Sequence, residues 1–128
     1  MRSLRVEMPR SLLNGVLSYS ADLHPREAIL LLRGRVNGGV LTVEELVIPP
    51  FAVQGWGYAS FQPHALPLDL TIQGIFHSHP SGSVKPSTVD LNHFYGLVLL
   101  IACHPYREND IAAYNRTGEK LNLKIINE

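Results

Sequence analysis

Two runs of this chain are too apolar to leave either side in water. "AILLL" at 28–32 and "LVLLIAC" at 97–103 lack the polar alternation of a half-exposed strand. Runs of that kind suit strands covered on both faces. The segments around them supply the cover. After a short strand, "LRVEM", Pro9 stands where a helix can begin, and Leu12, Leu13, Val16, Leu17 and Ala21 recur at helical spacing until Pro25 ends it. "VNGG" gives the backbone freedom for a hairpin from "EAILLLRG" into "VLTVEELVI", with Glu27 at the head of the first strand.

From residue 68 alternation returns. It predicts a strand with Leu68, Leu70, Ile72, Gly74 and Phe76 on one face and Thr71, Gln73, Ile75, His77 and His79 on the other, more polar face. "PSTVDLNHFYG" reads as a short helix with Ser87 as N-cap and Leu91, Phe94 and Tyr95 turned inward. A buried strand follows, and "DIAAYNRTGEKLNLKII" closes the chain as two strands joined near Thr117 and Gly118. Between Pro49 and Pro67 turns mix with a short strand at 57–62, and Trp56 reads equally as a core anchor or a partner contact. The order predicts one α/β domain over residues 1–128, a mixed sheet flanked by helices.

A chain of 128 residues can bury a core without disulfide or structural-metal staples. Lysine plus arginine and aspartate plus glutamate both number 11, so no long-range field draws the protein to nucleic acid or an anionic membrane. Cys103 is the single cysteine and reads as a small buried hydrophobe. With no signal peptide and no apolar run of membrane-spanning length, the expectation is a soluble cytoplasmic protein.

The chemistry concentrates in "IFHSHPSGSVKPSTVDL", residues 75–91. Strand side chains repeat every two residues, so His77 and His79 project to one side, where both imidazoles can meet one metal ion. A tight loop can then bring Asp90 in as a third ligand. Three protein donors leave a fourth tetrahedral position for water, as in catalytic rather than structural zinc sites, and zinc lowers the pKa of that water to about 7. Taken alone, Ser87 and Asp90 read as a capping box, and the two readings of Ser87 can coexist. Hydrolysis also needs a general base. Glu27 is the candidate, although spacing alone leaves Asp22, Glu44, Glu45 and Asp69 as competitors.

"HSHP" followed by "STVD" matches the H-x-H-x7-S-x2-D signature of the JAMM (MPN+) metalloprotease family without gaps, and "PREAILLLRG" resembles that family's glutamate strand. The resemblance runs over almost the whole chain. It implies an α/β/α sandwich of the cytidine-deaminase-like type and a zinc isopeptidase that removes ubiquitin or a ubiquitin-like protein after a C-terminal Gly-Gly. On that resemblance His77, His79 and Asp90 bind one zinc ion, Glu27 activates water and later protonates the leaving amine, and Ser87 helps to hold the oxyanion. The chain has no room for the long insertions of eukaryotic members, so it looks like the compact archaeal or bacterial type, whose substrates would be small ubiquitin-like modifiers or sulfur-carrier proteins. Ser78 stands where the RadC branch usually has Asn, and the deaminase signature H-x-E with P-C-x-x-C is absent. Two rival classes use the same residues: a non-haem Fe(II) oxygenase with a His-His-Asp facial triad, and a non-catalytic MPN scaffold.

Overall fold

The computed structural model describes residues 4–49, 53–55, 58–60 and 69–128. Both apolar runs lie where their composition requires. β2 (Ile29–Asn37) begins with four buried residues, and all six residues of β7 (Val98–Cys103) are buried. They flank β6 (Ile72–His79), which is antiparallel to β2 and parallel to β7. The predicted hairpin joins β2 to β3 (Val40–Val47), with Gly38 and Gly39 supplying the positive φ of its turn. β8 (Ile111–Tyr114) and β9 (Lys120–Ile126) follow β7.

β1 (Arg5–Pro9) lies parallel to both β3 and β9, so the sheet closes in the order β1-β3-β2-β6-β7-β8-β9. The expected α/β/α sandwich is corrected to a closed, barrel-like sheet. Helices nonetheless serve both faces. Leu30 and Leu32 share a core with Leu13 and Val16 of α1 (Arg10–Leu23), whereas Ile29 and Leu31 share the other core with Phe94 and the partly buried Leu91. Leu91 belongs to α2 (Thr88–Asn92). Alternation along β2 thus divides one strand between two apolar layers.

Three local expectations change. β6 starts at Ile72, and Leu70 sits in a turn, 81% exposed, rather than on a strand face. The histidine face of β6 carries Gln73, His77 and His79 as expected, but it is covered rather than open to solvent: Ile75 packs with Ile29, Leu99 and Ile101, and His77 is buried. In α1, Ala21 is exposed and Ser20 takes the buried position, its hydroxyl donating to Val16 O at 2.7 Å. A two-stranded pair, β4 (Val53–Gly55) with β5 (Tyr58–Ser60), lies within the segment predicted to hold a short strand. Leu68 and Trp56 fall outside the described residues.

Gly74 fixes how closely β6 meets β7. A Cβ there would stand 2.2 Å from Val98 O, a contact that only glycine avoids. Gly74→Ala is expected to force the two strands apart and cost at least ~2 kcal/mol, as other backbone-strain substitutions do. Urea unfolding followed by circular dichroism checks this; an unchanged midpoint would show that the seam adapts.

Candidate functional site

β6 ends on His79 and the chain turns through Pro80–Pro86 into α2, while β2 runs antiparallel and therefore begins at the same end of the sheet. The chemistry-bearing residues meet there. A cleft of about 330 Å³ is lined by Glu27, His79, Pro80, Ser81, Ser87 and Asp90. Asp90 is buried and bonds to three groups. Its Oδ2 accepts from the Ser87 N–H at 2.8 Å and lies 3.1 Å from His79 Nε2, and its own N–H donates to Ser87 Oγ at 3.0 Å. The expected capping box at Ser87 is therefore formed.

His77 is 5% exposed, and among the described residues its Nδ1 has no hydrogen-bond partner. That atom lies 3.9 Å from Asp90 Oδ1 and 4.0 Å from Glu27 Oε1, too far for hydrogen bonds. A buried polar atom without a partner is costly, and here it faces two carboxylates. In a tetrahedral site with metal bonds of about 2.0–2.2 Å, neighbouring donor atoms stand roughly 3.3–3.6 Å apart. The separations of 3.1 and 3.9 Å between imidazole nitrogens and Asp90 bracket that value. His79 Nδ1 lies 3.1 Å from Ser83 O, the outer hydrogen bond that holds a metal-binding imidazole with its other nitrogen turned to the ion. As arranged, no group of three or more His, Cys, Asp or Glu among the described residues forms a ready metal cage, and Asp90 and His79 are bonded directly to each other. The donor set and the unpartnered nitrogen fit a single zinc ion after a small displacement of these side chains.

The structure separates Glu27 from its competitors. Glu45 and Asp69 pair with Arg33, Glu44 pairs with Arg35, and Asp22 is exposed on α1. Glu27 alone of the five carboxylates lines the cleft. The remaining described histidines are engaged elsewhere. His24 and His104 stack with ring centroids 4.2 Å apart, His24 Nδ1 meets Tyr106 Oη at 2.7 Å, and His93 Nδ1 meets Val89 O at 2.9 Å. His64 lies outside the described residues. Cys103 is buried and free, as its surroundings in the sequence suggest. Two features had no signal in the sequence: the Ser83 carbonyl that orients His79, and Ser78, whose hydroxyl accepts the Ala28 N–H at 2.7 Å.

The site so defined brings two imidazoles and two carboxylates together, groups of the kind that a metal-assisted hydrolase uses. Comparison with known proteins gives the same class. The family model of the halobacterial JAB/MPN domain protein matches residues 65–128. A probable metalloprotease of Haloferax volcanii is 33% identical over 121 residues, covering 89% of this chain and 75% of the relative. The crystal structure of a JAB1/MPN domain protein from Archaeoglobus fulgidus has a TM-score of 0.71 at 35% identity, covering 94% of this chain and 98% of that one. A second solved structure, described as JAMM, a metalloprotease-like zinc site in the proteasome and signalosome, has a TM-score of 0.66 at 31% identity and covers 98% and 99% of the two chains. The chain belongs to the JAMM/MPN family of metalloprotease-like domains.

Burial opposes the charge on Asp90, but hydrogen bonds from His79 and the Ser87 N–H outweigh it and hold the carboxyl at about 2. Burial likewise opposes the charge on His79, and Asp90 overcomes it, raising the imidazole above its ordinary value. The folded Asp90 pKa lies below the unfolded value of 3.8, so its stabilisation is present above about pH 4 and is lost as pH falls toward 2. The folded His79 pKa lies above 6.5, so its stabilisation is present below that pH and is lost as pH rises through the folded value. In chelator-treated protein the pair should stabilise most between about pH 4 and 6.5. Thermal melts of wild type and Asp90→Asn should differ most near pH 5 and converge toward pH 2.5. A constant gap would assign the difference to the cap alone.

Proposed function

We propose that this chain is a zinc-dependent isopeptidase or peptidase that cuts after the C-terminal Gly-Gly of ubiquitin or a ubiquitin-like protein, such as a small modifier or sulfur carrier, in the cytoplasm. The observation that carries the hydrolytic reading is the buried, unpartnered Nδ1 of His77 facing Asp90 and Glu27. His77, His79 and Asp90 would hold one zinc ion, which when bound supplies Lewis acidity and lowers the pKa of a water molecule toward neutrality.

The remaining roles belong to the protein. Glu27 accepts a proton from the attacking water and delivers it to the departing amine, which its place on the cleft wall supports. Ser87 Oγ accepts from the Asp90 N–H, so the hydroxyl keeps its own proton to donate to the oxyanion of the tetrahedral intermediate. Glycines at the end of the substrate tail let its backbone approach the cleft without side chains in the way. Among the described residues every strand of the closed sheet already has two neighbours, so main-chain pairing with the tail falls to the β4–β5 pair or to the loop 80–86. No helix among the described residues is long and apolar enough to cross a membrane.

The decisive comparison uses two ubiquitin-like fusions, one ending in Gly-Gly and one with leucine as the penultimate residue. Wild type should cleave the first and not the second, chelator should abolish cleavage, and elemental analysis should find one zinc per chain that His79→Ala loses. Glu27→Gln should keep zinc and fold while losing most turnover, because the amide preserves size but accepts no proton. Equal cleavage of both fusions would refute the Gly-Gly reading, and near-normal turnover by Glu27→Gln would move the base elsewhere.

Ser87→Ala separates the two uses of that residue. An oxyanion donor predicts a kcat lower by roughly 10²- to 10³-fold with modest change in KM. A cap alone predicts normal kcat and a stability loss of about 1 kcal/mol, measured by thermal melting.

A further inference from the structure

Ser78 stands between the two histidines but points away from them. Alternation along β6 turns it to the face of Phe76, which packs in the α1 core, and its residue surface is fully buried. What it does there follows from the register. Ile29 pairs with His77, the Ser78 N–H reaches back to Ala28 just before β2, and Glu27 comes next, its Oε1 4.0 Å from His77 Nδ1. A regular antiparallel ladder would join Ala28 and Ser78 by two backbone hydrogen bonds. Only one has that form: the Ser78 N–H donates to Ala28 O at 3.0 Å. The return bond from the Ala28 N–H goes instead to Ser78 Oγ, at 2.7 Å.

The hydroxyl thus takes the place of a ladder carbonyl at the point where the chain leaves β2, and the next residue is Glu27. Ala28 is itself fully buried, so its N–H has no water to turn to if the hydroxyl is removed. That amide must then either reach for the Ser78 carbonyl, which rotates the peptide carrying Glu27, or stay unpaired. The first outcome turns Glu27 away from His77 and the cleft, and the second removes the bond that ties its peptide to β6.

We infer that Ser78 is a positioning residue that fixes Glu27 over the cleft through the Ala28 amide. The inference rests on Glu27 being the base.

The test uses the zinc-loaded full chain and a fluorogenic peptide ending in Gly-Gly. Ser78→Ala and Ser78→Cys should keep zinc and a KM within about threefold and lose roughly 10- to 100-fold in kcat, the scale expected for a small misplacement of a reacting group. Cysteine matches the serine in shape but is a weak acceptor, so it carries the comparison if the alanine variant does not fold. Ser78→Thr, which keeps the hydroxyl, should recover kcat to within about threefold. Amide exchange of Ala28, read by NMR on the metal-free protein, should speed up in the cysteine variant and not in the threonine variant. In a Glu27→Gln background Ser78→Cys should cost less than about twofold, since residues acting as one unit are not additive. Wild-type kcat in a folded Ser78→Cys, an unchanged Ala28 exchange rate, a folded threonine variant as slow as the cysteine one, or an equal loss in both backgrounds would each overturn the assignment of Ser78. Failure of the Glu27 reading is separate: it shows as near-normal turnover in Glu27→Gln alone, and it overturns this inference as well.

Discussion

The site depends on the directions in which β6 meets its two neighbours. β2 is antiparallel to β6, so the beginning of one strand lies beside the end of the other, and Glu27 and the histidine pair arrive at the same edge although fifty residues separate Glu27 from His77. β7 is parallel to β6, which requires a crossover between them, and that crossover holds the 80–86 loop and α2 with Ser87 and Asp90. Gly74 brings the β6 and β7 backbones to a distance no side chain would permit. Strand direction therefore assembles the site, and packing holds it there. The two cores that bury alternate residues of β2 prevent a one-residue slip, which would exchange Ser78 for its histidine neighbours and empty the cleft of donors.

Two carboxylates and two imidazoles in such a place oppose the burial around them. The resulting charges are compensated unevenly. Asp90 is satisfied by His79 and the Ser87 N–H, whereas the Nδ1 of His77 has carboxylate oxygens near it and a hydrogen bond to none. An apolar replacement would remove that cost, and none of the described residues supplies the missing partner. A divalent cation among the four would satisfy the nitrogen and draw Asp90 and His79 out of their direct bond, and that chemistry supports the zinc reading.

How much of this could be read from the sequence depended on whether the signal was local. The burial of β2 and β7, the hairpin at Gly38 and Gly39, the cap at Ser87 and the H-x-H pair are written in adjacent residues, and each lies where its pattern places it. Closure of the sheet is not local. It requires Val6 to find Leu41 on one side and Leu123 on the other, and nothing in "LRVEM" names either partner. The histidine face is polar in composition as read, but a count of residue types cannot see that it is covered, Ile75 packing with Phe94 and Leu99 from later in the chain. Glu27 could be singled out by resemblance, but its isolation from arginine becomes visible only once Arg33 and Arg35 are seen holding Glu44, Glu45 and Asp69. Ser78 had no signal, since strand alternation turns it away from the site it serves.

The segment after β6 joins folding to chemistry. α2 has five residues, too few to hold itself as a helix in water, where isolated helices shorter than roughly 12–15 residues are marginal. It persists through its reciprocal cap and through Leu91 and Phe94 packing on the second core. The cap is made by Ser87 and Asp90, the same two residues assigned to the oxyanion and the metal. Ordering the helix therefore places both groups, and any ion that holds Asp90 also holds the cap that keeps the helix formed. Affinity for the ion and stability of α2 are then linked through one side chain, as metal binding is linked to folding in other small domains. Such sharing explains how so short a helix holds its place on that face of the sheet: the groups that would do the chemistry are also those that stop it from unwinding.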